Sequence, residues 1–239
     1  NHKTAWLAFP ILIKDNAPFS RKEFQIYLEQ ENIQTRVVFT GNIIRQPMMK
    51  NIKYRLSLLK KSLFTYKKTY SYGGCDILID YVLQKISNGF YIDIGCQNPI
   101  SNNNTYLLHK RGWKGLNIDL DQKNIDLFNI ARPKDINLCL AISSEIKEKN
   151  LYFYHEGSPI NSLSPKLSNY KKDKPFIKKV STELLENVLK RFNIKLFDYI
   201  NIDVEGHELE VLNNFDIQLY KPKVVSVEYL DFTMNKLVF

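Results

Sequence analysis

Polar residues able to do chemistry recur where short apolar runs stop. Asp203, Glu205 and His207 follow Tyr199-Ile-Asn-Ile202; Asp93 and Gly95 close the run that starts at Phe90; Asp119 and Leu120 close Leu116-Asn-Ile118. A carboxylate, or an imidazole with its ordinary pKa near 6.5, can take the proton from a hydroxyl that becomes a nucleophile. Asp203 and Glu205 are two apart, so in extended geometry both face one side. These three are the candidate catalytic residues. Val211 stands where a zinc HExxH motif beginning at His207 would need its second histidine. Magnesium or calcium would suit the carboxylates, but no third ligand is identifiable, so no metal is predicted. His2 and His109 read as surface residues.

An apolar run ending in a carboxylate and then a glycine has the form of a buried parallel strand that stops at a ligand crevice. The predicted strands are Phe90–Ile94, Leu116–Leu120, Asn137–Ser143, Phe197–Asp203 and Lys223–Glu228. Between them, helices are expected over Asp76–Leu83 (stopped by Asn88-Gly89), from about Tyr106, over Asn124–Ala131 and over Thr182–Phe192. Ser101 to Asn104 would cap the helix from Tyr106, with its free amides turned to a polar ligand. Asp119 would accept hydrogen bonds from both hydroxyls of a ribose, while Asp121 suits the N-cap of the next helix. Leu120, Ala141 and Ile142 would flank an adenine, and Glu228 would help to line an acceptor cleft. Gly95 alone occupies the first turn, and there is no G-x-G-x-x-G. A dinucleotide pyrophosphate is therefore disfavoured, whereas S-adenosylmethionine, a nucleoside without phosphates, tolerates the looser turn. Its binding set is Asp93, Gly95, Asn104, Asp119, Leu120, Ala141 and Ile142.

The 239 residues carry a net charge of +9, and its location matters. Residues 1–72 hold 13 Lys/Arg against 4 Asp/Glu, and residues 73–239 hold 21 against 21. The basic excess belongs to the front, so no nucleic-acid partner is expected for the rest. Cys75, Cys96 and Cys139 are scattered, without metal spacing, as in a reduced cytoplasmic protein. No apolar run is long enough to span a bilayer. The chain opens on Asn1, which reads as a piece of a longer protein.

Three regions are predicted: 1–49, 50–72 and 73–239. The first holds a strand at Trp6–Ile13, a helix opened by the capping box Ser20-Arg-Lys-Glu23 with Phe24, Tyr27 and Leu28 as its stripe, and a strand at Arg36–Phe39. The second is an amphipathic helix or linker with Leu56, Leu58, Leu59, Leu63 and Tyr66, broken at Gly73-Gly74. In the third, Leu151–Tyr154 reads as a strand or hairpin arm, and the lysine-rich Lys166–Lys179 as exposed and mobile.

Ala8-Phe-Pro-Ile11, Phe19-Ser-Arg21, Tyr27-Leu28, Thr35-Arg36, Phe39-Thr-Gly-Asn42 and Arg45-Gln-Pro47 resemble the C-terminal small domain of the DegT/DnrJ/EryC1/StrS sugar aminotransferases and dehydrases. The closest branch in pattern acts on CDP-4-keto-6-deoxy sugars. The domain that would hold pyridoxal phosphate is absent from the match, so no pyridoxal chemistry is expected here. From about residue 73 to 232 the chain resembles the FkbM methyltransferases. That likeness is carried by Gly89-Phe-Tyr-Ile-Asp-Ile-Gly95, Pro99, Thr105-Tyr-Leu-Leu108, Arg111-Gly-Trp-Lys-Gly-Leu-Asn-Ile-Asp119, Arg132-Pro-Lys-Asp-Ile-Asn137, Ala141-Ile-Ser143 and Ile202-Asp-Val-Glu-Gly-His-Glu208. It implies a class I, Rossmann-like α/β fold with a mostly parallel sheet and helices on both faces. It also implies O-methyl transfer to a sugar, glycan or related small acceptor. Few residues follow Glu228, so the usual closing hairpin is expected to be missing. An edge left open there invites self-association. The alternatives are an inactive remnant or binding module of a polysaccharide or nucleotide-sugar fusion, and an NAD-dependent oxidoreductase.

Overall fold

The computed structural model describes residues 16–33, 54, 55, 57, 58, 69–165 and 174–228. The chain separates into two compact units, Asn1–Lys53 and Tyr54–Phe239. In the first, helix α1 (Arg21–Gln30) opens on the expected capping box: Glu23 N donates to Ser20 Oγ and Ser20 N to the Glu23 carboxylate. Its apolar stripe is not buried; Tyr27 is 57% exposed. The flanking strands expected at Trp6–Ile13 and Arg36–Phe39 lie outside the described residues.

In the second unit, residues 54, 55, 57 and 58 are helical and Leu58 is buried. Gly73 and Gly74, both at positive φ, form a 3₁₀ turn that leads into α2 (Cys75–Val82). That helix stops at Val82, well before Asn88-Gly89. The Gly89 position answers to a different demand: a Cβ there would lie 2.4 Å from the Trp113 ring.

The elements that follow are β1 (Phe90–Ile94), α3 (Tyr106–Lys110), β2 (Lys114–Asp119), α4 (Gln122–Ala131) and β3 (Ile136–Cys139). After these come β4 (Ala141–Ile142), β5 (Glu148–Phe153), β6 (Phe176–Glu183), α5 (Leu185–Arg191), β7 (Tyr199–Ile202), α6 (Glu208–Leu212), α7 (Ile217–Tyr220) and β8 (Val224–Val227). Five strands form one parallel sheet in the order β3-β2-β1-β7-β8. This is the α/β, Rossmann-like architecture expected, and strand alternation gives its two faces different chemistry. Ile92, Ile94, Leu116, Ile118, Ile200 and Ile202 join Leu185, Val188, Leu189, Val211 and Tyr220 in the main core. Each such aliphatic side chain contributes about 1.5–3 kcal/mol on burial.

On the other face Tyr91 and Tyr199 pack with Ile79, Leu83, Leu108 and Trp113. Gly115 pairs with Tyr91 across the ladder and yields its Cβ space to the Tyr91 ring. Two residues further on, on the same face, the register aligns Asn137, Asn117, Asp93, Asn201 and Ser226 across all five strands. Asn117 Nδ2 donates to Asn137 Oδ1 (2.8 Å), Asn201 Nδ2 to Asp93 Oδ1 (2.9 Å) and Ser226 Oγ to Asn201 Oδ1 (2.6 Å). A polar row thus runs through an otherwise apolar sheet.

Two expectations need correction. The third strand is split: after Cys139, Leu140 N donates to Asp119 O, and Ala141–Ile142 then pairs with Thr182–Glu183 in a second sheet of order β4-β6-β5. The lysine-rich stretch is partly a regular strand, since Phe176–Ser181 of β6 pairs antiparallel with the whole of β5. Helix α5 accordingly begins at Leu185 rather than Thr182. Residues 166–173 of that stretch lie outside the described ones. Among the described residues β8 pairs with β7 alone, and no helix is long and apolar enough to cross a membrane.

Candidate active site

Three strand ends meet at Gly95. Its amide donates to Ile118 O at 2.8 Å, and Asp203 N donates to Ile94 O at 2.9 Å, so β1 is tied to both β2 and β7. The turn runs at φ +80, and a Cβ on Gly95 would stand 1.7 Å from the Asp203 carbonyl oxygen. Above this junction opens a cleft whose empty space, open solvent included, is ≈ 540 Å³. Eight of the residues singled out from the sequence line it: Gly95, Asp119, Leu120, Ala141, Ile142, Asp203, Glu205 and His207. The turn after β1 adds Gln97, the start of α4 adds Asn124, and the loop at 158–163 adds Ser158, Pro159, Asn161 and Leu163. None of these additions carried a motif. Pocket-lining by a loop after the third strand depends on tertiary return, which no local spacing announces.

Asp119 is 7% exposed and accepts three hydrogen bonds: from Gln97 N (2.9 Å) on Oδ2, and from Asp121 N (2.8 Å) and Asn124 Nδ2 (3.1 Å) on Oδ1. Burial raises its pKa from 3.8 to about 6, against the lowering by those donors. A carboxylate has about four lone-pair sites, so one on Oδ2 is left for an incoming hydroxyl. Clasping both hydroxyls of a ribose, as expected from sequence, requires one internal bond to give way.

Asp93 and Asn104 do not line the cleft. The Asp93 carboxylate is fully buried beneath it, accepting from Asn103 Nδ2 (3.1 Å), Thr105 Oγ1 (2.8 Å) and Asn201 Nδ2 (2.9 Å). Burial pushes its pKa up, opposed by those donors and by Arg132. Asn104 Nδ2 donates to Asn201 Oδ1 at 2.9 Å. The helix expected to be capped by Ser101–Asn104 has Thr105 at its N-cap, with no side-chain cap; Asn103 and Thr105 are spent on Asp93. Fully buried Arg132 donates to Tyr91 Oη, Thr105 Oγ1, Pro99 O and Asn103 Oδ1. Together these groups hold the turn after β1 from below. His109 is half-buried rather than a surface residue, with Nδ1 3.8 Å from Asp135 Oδ2.

Extended geometry does not align Asp203 with Glu205. The strand ends at Ile202, and Glu205 and Gly206 take positive φ values of 54 and 90. The reversal itself delivers both residues to the cleft. A non-glycine at positive φ costs about 1–3 kcal/mol and persists only where its surroundings hold it. Ser162 Oγ donates to Glu205 O at 2.7 Å, and the Glu208 carboxylate accepts from Val204 N and Gly206 N, both at 3.0 Å. Carboxylate oxygens of Asp203, Glu208 and Glu228 lie within 4.8 Å of one another. Glu228, expected from sequence to help line an acceptor cleft, is not among the residues that line this one; it joins Asp203 through this acidic group instead. Burial pushes the Glu208 pKa up, with Glu228 adding to the rise. His207, 6% exposed, has Nε2 3.0 Å from Ser143 Oγ and Nδ1 3.7 Å from Glu210 Oε2. Burial lowers its pKa, Glu210 opposes this, and Lys149 adds to it, so the ring is neutral near pH 7.

Asp121 caps α4 as the sequence suggests, accepting from Lys123 N at 3.0 Å. Its other oxygen accepts from Gly157 N (2.6 Å) and Asn161 Nδ2 (3.2 Å), so the same side chain pins the loop that walls the cleft. Asp121→Ala is expected to lose about 1 kcal/mol of capping and, with the loop bonds, to lower the melting temperature by roughly 5 °C. Hydrogen exchange should quicken at Gly157 and Ser158 while β1 and β7 remain protected. Unchanged exchange in the loop would contradict this.

Residues 93–237 match the family model described as the methyltransferase FkbM domain. Residues 1–72 match that of the DegT/DnrJ/EryC1/StrS aminotransferase family. The lipopolysaccharide biosynthesis protein RfbH of Salmonella typhimurium is 42% identical over 52 residues, 22% of this chain and 12% of that protein. The dTDP-4-dehydro-2,6-dideoxy-D-glucose 3-dehydratase of Saccharopolyspora spinosa is 35% identical over 88 residues, 35% of this chain and 19% of that protein. The chain therefore spans only a small part of either relative. No solved structure matches it.

Proposed function

From the premise that this chain belongs to the FkbM methyltransferase family, we propose that its cleft binds S-adenosylmethionine and that the methyl group goes to a hydroxyl of a sugar, glycan or related small acceptor. The observation that carries the reading is Asp119: a buried carboxylate at the end of β2 that lines the cleft, is raised in pKa by burial, and accepts three hydrogen bonds from within the chain against about four lone-pair sites. A hydroxyl donor there relieves the cost of burying the charge. The residues suit the nucleoside in two further ways. Gly95 keeps the junction of the strand ends clear of any side chain, and Ala141 and Ile142 supply an apolar wall next to the polar end.

When bound, S-adenosylmethionine supplies an electrophilic methyl carbon on a sulfonium. The chain's part is to hold the acceptor oxygen in line with that carbon and to receive the hydroxyl proton as the new bond forms. Asp203, Glu205 and His207 are all brought to the cleft by the reversal after β7, and the two carboxylates, Asp203 and Glu205, are the groups proposed for the proton. The sugar acceptor is supported by the front of the chain: its aminotransferase-family match, and relatives whose names place them in lipopolysaccharide and dideoxy-glucose chemistry.

The test is a binding titration of the full chain with S-adenosylhomocysteine and, in parallel, NADH. S-adenosylhomocysteine should bind and raise the melting temperature, and NADH should do neither. Transfer of labelled methyl to nucleotide-linked deoxy sugars then tests the acceptor. A chain stabilised by NADH and indifferent to S-adenosylhomocysteine would remove the reading, and cofactor binding without transfer to any such acceptor would favour a binding module.

A further inference from the structure

Beside the cleft, one line of side chains joins the second sheet to the turn after β7. It starts on β5 with Lys149, whose side chain is 16% exposed and whose Nζ donates to Ser143 Oγ at 2.8 Å. Ser143, 2% exposed, follows β4 and is fixed by its own amide, which donates to Glu183 O on β6 at 3.0 Å. Its Oγ lies 3.0 Å from Nε2 of His207. The charged neighbours are Glu145, 3.7 Å from Lys149 Nζ, and Glu210, 3.7 Å from His207 Nδ1.

Proton accounting along this line has one economical solution. An ammonium has three donors and no acceptor, so Ser143 Oγ accepts from Lys149. The serine hydroxyl still has a proton to place, and at 2% exposure it has no bulk water for it. A buried hydroxyl donates where an acceptor is in reach, and the acceptor in reach is His207 Nε2. That nitrogen then carries the lone pair, and Nδ1 carries the ring proton on the side of Glu210.

We propose that Ser143 and Lys149 are positioning residues: they hold His207 as the Nδ1-protonated neutral imidazole, which braces the turn bearing Asp203 and Glu205 and leaves proton acceptance to those carboxylates. The inference deepens the methyl-transfer reading and rests on it for the purpose of the brace; the brace itself rests on geometry. Ser143 is too enclosed to act as a nucleophile, so its contact with the imidazole serves orientation. With Nε2 already satisfied, His207 has no lone pair for a hydroxyl in the cleft. The strained Glu205–Gly206 reversal needs an anchor from outside its own sheet, and the Lys149–Ser143–His207 line is one.

The experiment is long-range ¹H–¹⁵N NMR on the full chain, labelled at the histidine rings and held near neutral pH. His207 should show Nε2 unprotonated and Nδ1 protonated. Ser143→Ala should shift both nitrogens toward the averaged values of exchanging tautomers. Lys149→Met, which leaves Ser143 in place, should move them the same way by less and serves if Ser143→Ala does not fold. A parent with the proton on Nε2 overturns the inference, as does a tautomer left unchanged in the folded variants. S-adenosylhomocysteine titrated into the same samples keeps the two readings apart. A parent with the expected tautomer that binds none of it retains the brace and loses the methyl-transfer assignment.

Discussion

Gly95→Ala is expected to abolish S-adenosylhomocysteine binding and to lower the melting temperature by about 10 °C. Two costs add. An alanine at φ +80 is strained, and its Cβ would sit 1.7 Å from the Asp203 carbonyl oxygen and 2.7 Å from the carbonyl carbon. Backbone atoms held on both sides by the β1–β2 and β1–β7 bonds cannot yield as a flexible side-chain tip would. Together the costs come to at least about 3 kcal/mol, and at this size each kcal/mol is worth roughly 2–4 °C. The displaced atoms are the floor of the cleft, so binding fails along with stability. Gly74→Ala is the control: its φ is +83, but nothing lies within 4 Å of the added Cβ. A Gly95→Ala protein that melts like Gly74→Ala and still binds the ligand would contradict the proposed close approach of the strand ends.

The second large effect concerns Asp119. Its folded pKa of about 6 lies above the ordinary 3.8, so between those values the folded chain holds a proton that the unfolded chain releases. On its own, then, Asp119 makes the fold more stable as pH falls from about 6 to about 4, and above pH 6 it is a constant cost of about 3 kcal/mol. Ligand hydroxyls donate to the ionised form, so binding has the opposite slope. Affinity for S-adenosylhomocysteine should be about tenfold weaker at pH 5 than at pH 7, because roughly one carboxyl in ten is ionised one unit below its pKa. Asp119→Asn should bind about 10–100-fold less tightly at pH 7 and lose that slope, since a charge-assisted bond is worth about 1.5–3 kcal/mol. Asn also turns an N–H toward one of the three donors now satisfied, so its melting temperature must be recorded beside its affinity. A variant that binds as tightly as the parent, or a parent with no slope between pH 5 and 7, would remove the ribose role.

The sheet was legible because its signals are local. Five apolar runs, each ending at a polar residue or glycine, gave five parallel strands, and Asp121 and the Ser20–Glu23 box capped the helices assigned to them. The strand Phe176–Glu183 was not legible. Its residues are mostly exposed, and its regularity comes from antiparallel bonds to β5 rather than from burial, so no hydrophobic period marks it. The split at Leu140 was hidden for the converse reason: Leu138, Ala141 and Ile142 are apolar on either side of a change of partner sheet. At the site, residue types were readable but their layers were not. Asp93 and Asp119 lie on the same face of neighbouring strands with the same chemistry, but the register sets Asp93 opposite Asn117, so Asp119 stands two residues further along and reaches the cleft while Asp93 stays beneath it. Ser143 meets His207 beside the cleft only through long-range return.

The row formed by Asn137, Asn117, Asp93, Asn201 and Ser226 has a consequence for how the sheet is assembled. Parallel strands built from Ile, Leu and Val are nearly interchangeable, and an apolar ladder offers little to tell one alignment from the next. Here any strand shifted by one residue carries its polar side chain to the opposite, oily side, away from the partners it now bonds. That error strands an unmet polar group in the interior, at about 1–3 kcal/mol for an amide and more for a charge. The row therefore acts as a keying pin: it adds little to the strength of the finished sheet, and it makes the mis-set versions too costly to keep.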